Sequence, residues 1–385
     1  MKVAIVTYEL LPQDGTSART IGFMRALVSR GHEVIVVGPT ARNKIDASLV
    51  KSIGAEYSGS LPFACRPGMA RSFAFALNLV QTLRTIRKNF DFDIMHFANY
   101  NMNSLAFPFV RSSLNRPIVS DLHALASTMV LEPGLQSQPL IFHLMNILYQ
   151  NMMLKFSDSI ITPTEELKSL FAQYYSGKIF AVPNCIWLPK GDFQRVSNEV
   201  EKKDEWMVFF HANFIHVGER SIREVNRVAE VLERVRARGF QIRLWIAGPG
   251  SDIVPDKGPM VRNLGYVRNP NDYLSRCDLV ILPVRDLTLG LHSRLVEALA
   301  AGKPVIASKE ACCGIVPYLH DSGIQVCESL EQMVESVCLL LSQRDKMIEA
   351  GKRNAVLANR LFSPEVVGKS LEHAYSETLN AFSKT

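Results

Sequence analysis

The sequence predicts an α/β protein built from two Rossmann-like, doubly wound domains. Short, continuously apolar segments alternate with helical patterns along most of the chain. Such strands belong to parallel sheets that helices cover on both faces. A polar stretch near the middle interrupts the alternation, and a second alternating series follows it. The length of 385 residues also exceeds what a single hydrophobic core usually supports.

The first series of elements follows the alternation in order. Val3–Thr7 is the first predicted strand, and a loop containing Gly15 and Thr16 follows it. The helical spacing of the apolar residues predicts a helix over 18–30, ended by Gly31. Further short strands are predicted at Val34–Val37, Ile94–His96, Pro117–Asp121, Ser159–Thr162 and Ile179–Val182.

The polar residues 188–205 are interpreted as an interdomain linker, because they show neither helical nor strand periodicity. The predicted N-terminal domain is then 1–187, the C-terminal domain is 206–361, and a last helix occupies 362–385. The second series has predicted strands at Met207–Phe210, Arg243–Ala247, Asp278–Pro283 and Pro304–Ser308. Predicted helix starts are a capping box of Ser221 with Glu224, then Ser293, Ser329 with Gln332, and Pro364.

The composition is that of a globular protein, with 47% apolar and 21% charged residues. No run of about 20 apolar residues is present, so no spanning helix is expected. The apolar run that starts at Val3 is too short for a secretory signal. The seven cysteines are scattered, which favours a reduced, cytoplasmic protein without disulfides or a zinc site. The net charge of +6 fits an anionic ligand or membrane surface, but is too mild to indicate nucleic acid.

The segment 289–306 carries the clearest candidate chemistry. A glycine loop with Gly290 precedes a short helix, whose free N–H groups and positive dipole end suit a phosphate. Arg294 and Glu297 are three residues apart and share one helical face. A carboxylate can accept two hydrogen bonds from a ribose diol, and an arginine can bind a pyrophosphate with two N–H groups. The alternative is a surface ion pair on an ordinary helix.

This segment resembles the retaining glycosyltransferases of family 4, which have the GT-B architecture of two Rossmann-like domains facing across a cleft. The stretch Gly302-Lys303-Pro304-Val305-Ile306 is similar to the end of their motif. The resemblance implies that Glu297 holds the ribose of a nucleotide sugar. Leu289 stands where the family has its first glutamate, which contacts the donor sugar. Gly290 and Arg294 resemble a family variant with glycine and a basic residue in this region.

Other segments extend the resemblance over nearly the whole chain. It implies that His123, after the Pro117–Asp121 strand, lies near the donor sugar and the reacting centre. The resemblance implies further donor contacts for the glycine loops and the start of the Ser293 helix: Gly15, Thr16, Gly248, Gly290, Leu291 and His292. Arg220 is the candidate for the diphosphate, with Arg223, His211 and His216 as alternatives. His96 matches a family histidine that we interpret as structural, and Cys185 replaces the glycine of a family Pro-Asn-Gly turn.

The resemblance therefore implies a glycosyltransferase that moves a sugar from a nucleotide-sugar donor to a saccharide or lipid-linked acceptor, with retention and in polysaccharide or glycoconjugate biosynthesis. His123 and Arg294 are the expected catalytic residues. No metal or other cofactor is expected, because arginines and helix dipoles can neutralise the leaving diphosphate. Alternatives are an inactive nucleotide-binding or complex-forming relative, favoured by Leu289, a sugar-nucleotide epimerase or phosphorylase, and a solute receptor.

Residues 62–90 combine basic and aromatic side chains without an acidic one. Family members that act on lipid-linked acceptors dock on membranes through such surfaces, so peripheral contact with an anionic membrane on the cytoplasmic face is one interpretation. The other is an amphipathic core helix with a basic outer side. The apolar stretch Leu140–Met153 is predicted to be a core helix.

Overall fold

The computed structural model describes residues 1–7, 10, 15–39, 47–61, 69–98, 102–125, 140–186, 205–215, 218–254, 258–267, 269–285 and 289–384, with the backbone alone at 15–16, 39, 59–61, 69–76, 102–103, 142 and 218. In this part of the chain, no helix has the length and apolar character to span a bilayer. The predicted linker lies almost wholly outside the described residues.

The strands and helices alternate as the sequence predicts. The strands are β1 (Lys2–Val6), β2 (Glu33–Pro39), β3 (Glu56–Leu61), β4 (Ile94–Ala98), β5 (Ile118–Asp121), β6 (Ser159–Thr162), β7 (Lys178–Ala181), β8 (Trp206–His211), β9 (Ile242–Ala247), β10 (Val261–Asn263), β11 (Val280–Leu282), β12 (Val305–Ser308) and β13 (Ile324–Cys327). The α-helices are α1 (Gly15–Ser29), α2 (Ala47–Ile53), α3 (Met69–Asn89), α4 (Phe107–Leu114), α5 (Leu140–Phe156), α6 (Glu165–Phe171), α7 (Gly218–Ala237), α8 (Asn271–Arg276), α9 (Ser293–Ala300), α10 (Leu330–Ser342), α11 (Arg344–Phe362) and α12 (Pro364–Phe382). Short 3₁₀ helices lie at Met102–Ala106, Ser251–Ile253, Gly258–Met260, Glu310–Cys312 and Val316–Asp321.

The chain forms two compact units, one of Met1–Cys185 with Pro364–Thr385 and one of Ile186–Ser363. We call them unit 1 and unit 2. The structure thus assigns the last helix, α12, to unit 1, where it packs against α1. Unit 2 begins at Ile186, before the polar residues 188–205 that we interpret as a linker, and it ends at Ser363, two residues after the predicted end at 361.

Unit 1 contains a parallel sheet with the strand order β3-β2-β1-β4-β5-β6-β7. The order reverses at β1, which pairs with both β2 and β4. Its core lies between the sheet and the helices, and side chains of α3 such as Leu83 and of β4 such as Phe97 contribute to it. This is the doubly wound topology that the sequence predicts, and in such sheets ligands bind beyond the carboxyl ends of the strands.

Unit 2 repeats the arrangement with fewer strands. Strands β10-β9-β8 and β11-β12-β13 form two parallel ladders, and a parallel bridge between Val208 and Leu279 joins them. The order again reverses, here between β8 and β11. The predicted α/β class with two Rossmann-like domains is therefore confirmed.

Helix ends follow the predicted signals in several places. Gly31 and Gly302 adopt left-handed φ angles of 80° and 64° just after α1 and α9, as glycine allows without strain. Ser329 caps α10 by accepting a hydrogen bond from the Gln332 amide at 3.2 Å. The capping box predicted at Ser221 is wrong, because α7 already begins at Gly218 and Glu224 binds other partners.

Helix α5 differs from the prediction of a core helix. Met153 lies in the core of unit 1, but the opposite face is apolar and open to solvent: Leu140, Ile141, Leu144 and Leu148 are 73%, 64%, 52% and 43% exposed. The prediction of a core helix therefore holds for one face only, since an almost wholly apolar helix does not indicate which face is covered.

Candidate functional site

Several charged side chains of unit 2 lie at the carboxyl end of β8 and in the first turns of α7 and α9. His211, the last residue of β8, holds Glu297 of α9 through its Nε2, 2.8 Å from the Glu297 carboxylate. The His211 ring stacks on Phe209, with 5.5 Å between centroids. Both the histidine and the glutamate remain partly exposed. Glu297, the predicted ribose ligand, therefore lies at the carboxyl ends of the strands, where ligands of such folds bind.

Glu224 lies between two arginines in the same region. One carboxylate oxygen accepts a hydrogen bond from Arg220 Nε at 3.2 Å, and the other accepts one from Arg294 Nη2 at 2.5 Å. Glu224 is almost fully buried. Burial alone would raise its pKa, but attraction to Arg294 and Arg220 lowers the pKa below its usual value. The carboxylate therefore stays ionised and holds both arginines in place.

Arg294 has one guanidinium nitrogen without a partner. Its Nη1 is buried and has no hydrogen-bond partner among the described residues. The guanidinium carbon lies 4.6 Å from the centroid of the Phe210 ring, which holds it by a cation–π contact. A buried N–H group without a partner costs free energy. The described residues therefore provide no partner for Arg294 Nη1, and an anionic ligand atom would suit it.

His292 precedes α9 as its N-cap residue. Burial and the two nearby arginines, Arg294 and Arg220, lower the pKa of His292 to about 3. The ring is therefore neutral at physiological pH, with one nitrogen able to donate and the other able to accept. A neutral imidazole here avoids adding a third positive charge beside the two arginines.

The glycine loops of unit 2 differ in role. Gly248 has a φ of 135°, and a Cβ placed on it would lie 1.9 Å from the carbonyl oxygen of Ala212. Its amide donates to Gly265 at 2.9 Å. Gly248, in the loop after β9, therefore packs closely against the loop after β8 and bonds to the loop after β10, and its contact with a donor stays a prediction.

The loop before α9 contains the remaining predicted donor contacts. Leu291 is only 8% exposed and packs in the core of unit 2, so its backbone is the part that could reach a ligand. Gly290 is partly exposed, and Leu289, at the position of the family's first glutamate, is 38% exposed.

Unit 1 has its own buried charge cluster at the carboxyl ends of its strands. Arg19 of α1 and Asp121 of β5 form a buried ion pair: Arg19 Nε donates to Asp121 Oδ2 at 2.8 Å, and Nη2 donates to Oδ1 at 2.9 Å. Arg19 Nη1 donates to Asn184 Oδ1 at 2.9 Å. Burial would raise the pKa of Asp121, but attraction to Arg19 and to His123 holds this pKa well below its usual value.

His123 and His96 approach the same carboxylate. His123 Nε2 lies 2.9 Å from Asp121 Oδ2, and His96 Nε2 lies 3.8 Å from this oxygen. The Nδ1 of His96 contacts the hydroxyl of Tyr375, on α12, at 2.8 Å. His96 is fully buried, as expected for a structural residue, whereas His123 is 18% exposed. The predicted catalytic histidine is therefore the partly exposed end of a buried network.

The predicted contacts at the first glycine loop are only partly described. Gly15 and Thr16 form the first two residues of α1, and the Thr16 side chain lies outside the described part of the structure. At the Pro-Asn-Cys turn, Cys185 packs against Gly22 of α1, where a Cβ would lie 2.6 Å from that of Cys185. A glycine in the facing helix therefore makes room for the side chain at this turn. Burial raises the pKa of Cys185 to about 12, which favours the protonated thiol at neutral pH.

Sequence reasoning missed the partners of the predicted site residues. Asp121 comes directly before Leu122 and His123, but the sequence does not indicate that its carboxylate binds His123. Glu224 fits the spacing of a capping box, which predicts a helix start rather than an ion pair. Arg19 received no role. His211 was an alternative to Arg220 for the diphosphate, but contacts Glu297 instead. His216, the other histidine alternative, lies outside the described residues.

The basic face of α3 is used within unit 1. Arg84 donates to the Ser113 hydroxyl at 2.8 Å, and Arg87 contacts the Leu114 carbonyl and Asp91. Together with the buried Leu83 and its neighbours, this arrangement favours a core helix with a basic outer side. Phe63 and Arg66 lie outside the described residues.

The described residues contain no cluster of three or more histidine, cysteine, aspartate or glutamate side chains suited to a metal ion.

Two family models match the sequence. Residues 14–188 match the model of Glycosyltransferase Family 4, and residues 210–343 match the model of Glycosyl transferases group 1. Between them the matches take in most of both units. None of the proteins with curated functions matches the chain at a significant level.

Solved structures show the same fold at low identity. A sucrose-phosphate synthase from Thermosynechococcus elongatus is 16% identical, with a TM-score of 0.70 over 99% of this chain and 100% of that one. HepE from Anabaena, in complex with UDP and glucose, is 15% identical, with a TM-score of 0.69 over 98% and 100%. A variant of TarM from S. aureus, in complex with Fondaparinux, alpha-GlcNAc-glycerol and UDP, is 10% identical, with a TM-score of 0.69 over 97% and 99%.

Proposed function

We propose a donor and a mechanism for this chain, which belongs to the family 4-like glycosyltransferases with the GT-B fold. The proposed reaction moves a sugar from a nucleoside-diphosphate sugar to a saccharide or lipid-linked acceptor, with retention of configuration and without a metal. The proposed pathway is polysaccharide or glycoconjugate biosynthesis. Binding of UDP by the structurally similar HepE and TarM supports this type of donor.

The observation that carries the proposal is the buried, unpartnered Nη1 of Arg294 in the first turn of α9. An anionic oxygen is the partner that this N–H group lacks. The amides at the start of α9 and the positive end of its dipole favour the same kind of ligand. Glu297, one helical turn further, supplies a carboxylate for the ribose diol. A diphosphate and a ribose are thus matched by neighbouring groups on one helix.

The proposed catalytic effect is stabilisation of the leaving nucleoside diphosphate. Negative charge develops on its oxygen as the glycosidic bond breaks, and Arg294 and Arg220 would neutralise that charge. Their positions are set in advance by Glu224, so little reorganisation is needed during the reaction. We propose that His123 contacts the transferred sugar, as the resemblance implies.

We propose that the acceptor is a saccharide or a lipid-linked saccharide. Membrane contact through residues 62–90 is not included, because Arg84 and Arg87 bind groups of unit 1. The alternative function is an inactive nucleotide-binding relative, which Leu289 in place of a glutamate favours. It predicts nucleotide binding without turnover.

The change Arg294→Gln tests the proposal. We expect release of nucleoside diphosphate from the preferred donor to fall by about 100-fold, since one preorganised donor to the leaving group is lost. The assay uses UDP-, GDP- and ADP-sugars with mixed saccharide acceptors, with and without EDTA. Arg294→Lys, which keeps the charge but not the forked geometry, should lie between the variant and the wild type.

Arg262→Gln is the matched control, because Arg262 is an exposed arginine on β10. It should leave the rate unchanged. If the wild type binds a nucleotide but releases no nucleoside diphosphate from any of the donors, the result supports the inactive alternative. Loss of activity in EDTA would contradict a metal-free mechanism.

A further inference from the structure

The buried cluster of unit 1 is held together by the hydrogen bonds that Asp121 accepts. Asp121 is fully buried and receives hydrogen bonds from Arg19 on both of its oxygens. An ionised carboxylate has no proton to donate, so every group that touches it must donate. The nitrogen of His123 that lies 2.9 Å away, Nε2, therefore carries its hydrogen.

A second histidine, His96, also faces the Asp121 carboxylate. Burial, together with the Asp121 charge, raises the pKa of Tyr375, so its hydroxyl keeps its proton. His96 presents Nε2 to the Asp121 carboxylate at 3.8 Å and Nδ1 to the Tyr375 hydroxyl at 2.8 Å. An Nε2–H directed at the carboxylate would leave Nδ1 to accept a hydrogen bond from Tyr375. The Asp121 charge thus fixes the proton position at His123, whereas its contact with His96 is longer than a hydrogen bond.

The geometry at His123 leaves its other nitrogen available. Among the residues that the structure describes, Nδ1 of His123 has no hydrogen-bond partner. Asp121 and His123 are two residues apart at the end of β5, so they lie on one face of the chain there. Leu122 between them points into the core of unit 1.

We propose that Asp121, locked by Arg19, is a positioning residue that holds His123 in the Nε2–H tautomer, so that Nδ1 faces the substrate as a hydrogen-bond acceptor. The ligand of this nitrogen is then a sugar hydroxyl, which donates to it. An Nδ1 that carries no hydrogen can only accept, so it would not bind a phosphate oxygen, which has no proton to donate. The proposal rests on the proposed function, because it takes His123 as a residue that contacts substrate.

The change Asp121→Asn gives a specific test. Arg19 donates to both carboxylate oxygens of Asp121 and makes two hydrogen bonds to Oδ1. We therefore expect the side-chain oxygen of the asparagine to take the Oδ1 position. The asparagine NH₂ would then face His123, and Nε2 would have to accept. The hydrogen of His123 is expected to move to Nδ1, where it can no longer accept from a sugar hydroxyl. Loss of the correct tautomer of a catalytic histidine is strongly disabling elsewhere.

The first readout is the tautomer itself. Long-range ¹H–¹⁵N NMR of histidine-labelled protein distinguishes the two ring nitrogens, and the signal missing in His123→Gln assigns the residue. We expect the Nε2–H form in the free wild type and the Nδ1–H form in Asp121→Asn. This measurement needs no donor, so it remains informative if the proposed function fails. Nδ1–H in the wild type would overturn the proposal, even if Asp121→Asn does not fold.

The second readout separates positioning from folding. In Asp121→Asn, kcat should fall about 100-fold, as a small misplacement of a catalytic group can cause, while the Kd for the nucleoside diphosphate stays unchanged. Asp158→Asn is the control, because Asp158 is another aspartate of unit 1 that binds an arginine, Arg111, although it is only partly buried. It should leave both the His123 tautomer and kcat unchanged. An unchanged tautomer and kcat in Asp121→Asn would refute the positioning role.

Discussion

Two buried carboxylates, Asp121 in unit 1 and Glu224 in unit 2, organise the candidate site residues. Each is held ionised by arginines, and each in turn fixes a residue that we propose to contact substrate. A buried charge is tolerated only when it is paired and hydrogen-bonded. The two residues that we propose to contact substrate, His123 and Arg294, could be identified from the sequence because they lie in recognisable segments.

The inner partners could not be predicted in the same way. Arg19 and Asp121 are 102 residues apart, and Glu224 and Arg294 are 70 apart. Nothing local in the sequence indicates such pairs, since the sheet topology brings them together. Glu224 follows Ser221 at the capping-box spacing, and this local pattern led to the wrong interpretation.

The change Glu224→Gln should destabilise the protein by about 3 kcal/mol at pH 7, because it leaves two arginines in a buried site without their counter-charge. The pKa of Glu224 is lowered in the folded protein. Its contribution is therefore fully present above the unfolded pKa and is lost as the pH falls through the lower folded pKa. Urea unfolding at pH 7 and below pH 4 measures this.

The matched control is Glu230→Gln on the same helix, where the glutamate forms an exposed pair with Arg234. It should cost less than about 1 kcal/mol. Equal losses in the two variants, or a loss that does not shrink in acid, would show that Glu224 is not a buried counter-charge.

At the scale of elements, the sequence predicted central strands better than edge strands. β1, β4 and β12 are continuous apolar runs because both of their faces are covered. β3, β10 and β13 were not predicted, and they lie at the edges of their sheets. Their residues include exposed polar side chains, as in the Val261–Asn263 strand, so no apolar run marks them.

Ion pairs and hydrogen bonds fasten helix α12 to the turn between α1 and β2. Glu372 receives two hydrogen bonds from Arg30, both at 2.7 Å, and a third contact from His32 at 2.7 Å. These partners, Arg30 first, lower the pKa of Glu372 to about 2. The sequence predicted the helix but not the glutamate that fastens it.

The change Glu372→Gln should cost about 1–2 kcal/mol at pH 7, as expected for charged hydrogen bonds that are mostly shielded from water. The lowered pKa means that this contribution is complete above about pH 4.5 and disappears between there and pH 2. Chemical unfolding at pH 7 and pH 2.5 measures the difference. Glu377→Gln, which removes a more exposed pair with Lys178, is the control and should cost less. A Glu372 effect independent of pH would contradict the ionic account.

At the scale of the whole molecule, the two units share one topology and divide the candidate chemistry. Unit 2 carries the proposed nucleotide-binding groups, and unit 1 carries His123 and its supporting network. Periodicity and length predicted two doubly wound units, and the motif around Glu297 is the reason why we propose unit 2 as the nucleotide-binding unit. The acceptor was not predictable, because no motif of unit 1 names one.

The measurement that tests the account most directly is calorimetry of UDP, GDP and ADP with the wild type, Glu297→Ala and the control Glu335→Ala. Glu335 is an exposed glutamate on α10 of the same unit. We expect one nucleotide to bind the wild type and Glu335→Ala equally. It should bind Glu297→Ala at least about tenfold more weakly, or about 1.4 kcal/mol, because the ribose loses its carboxylate. Equal affinity for all three proteins, or no binding by the wild type, would contradict the assignment of this site.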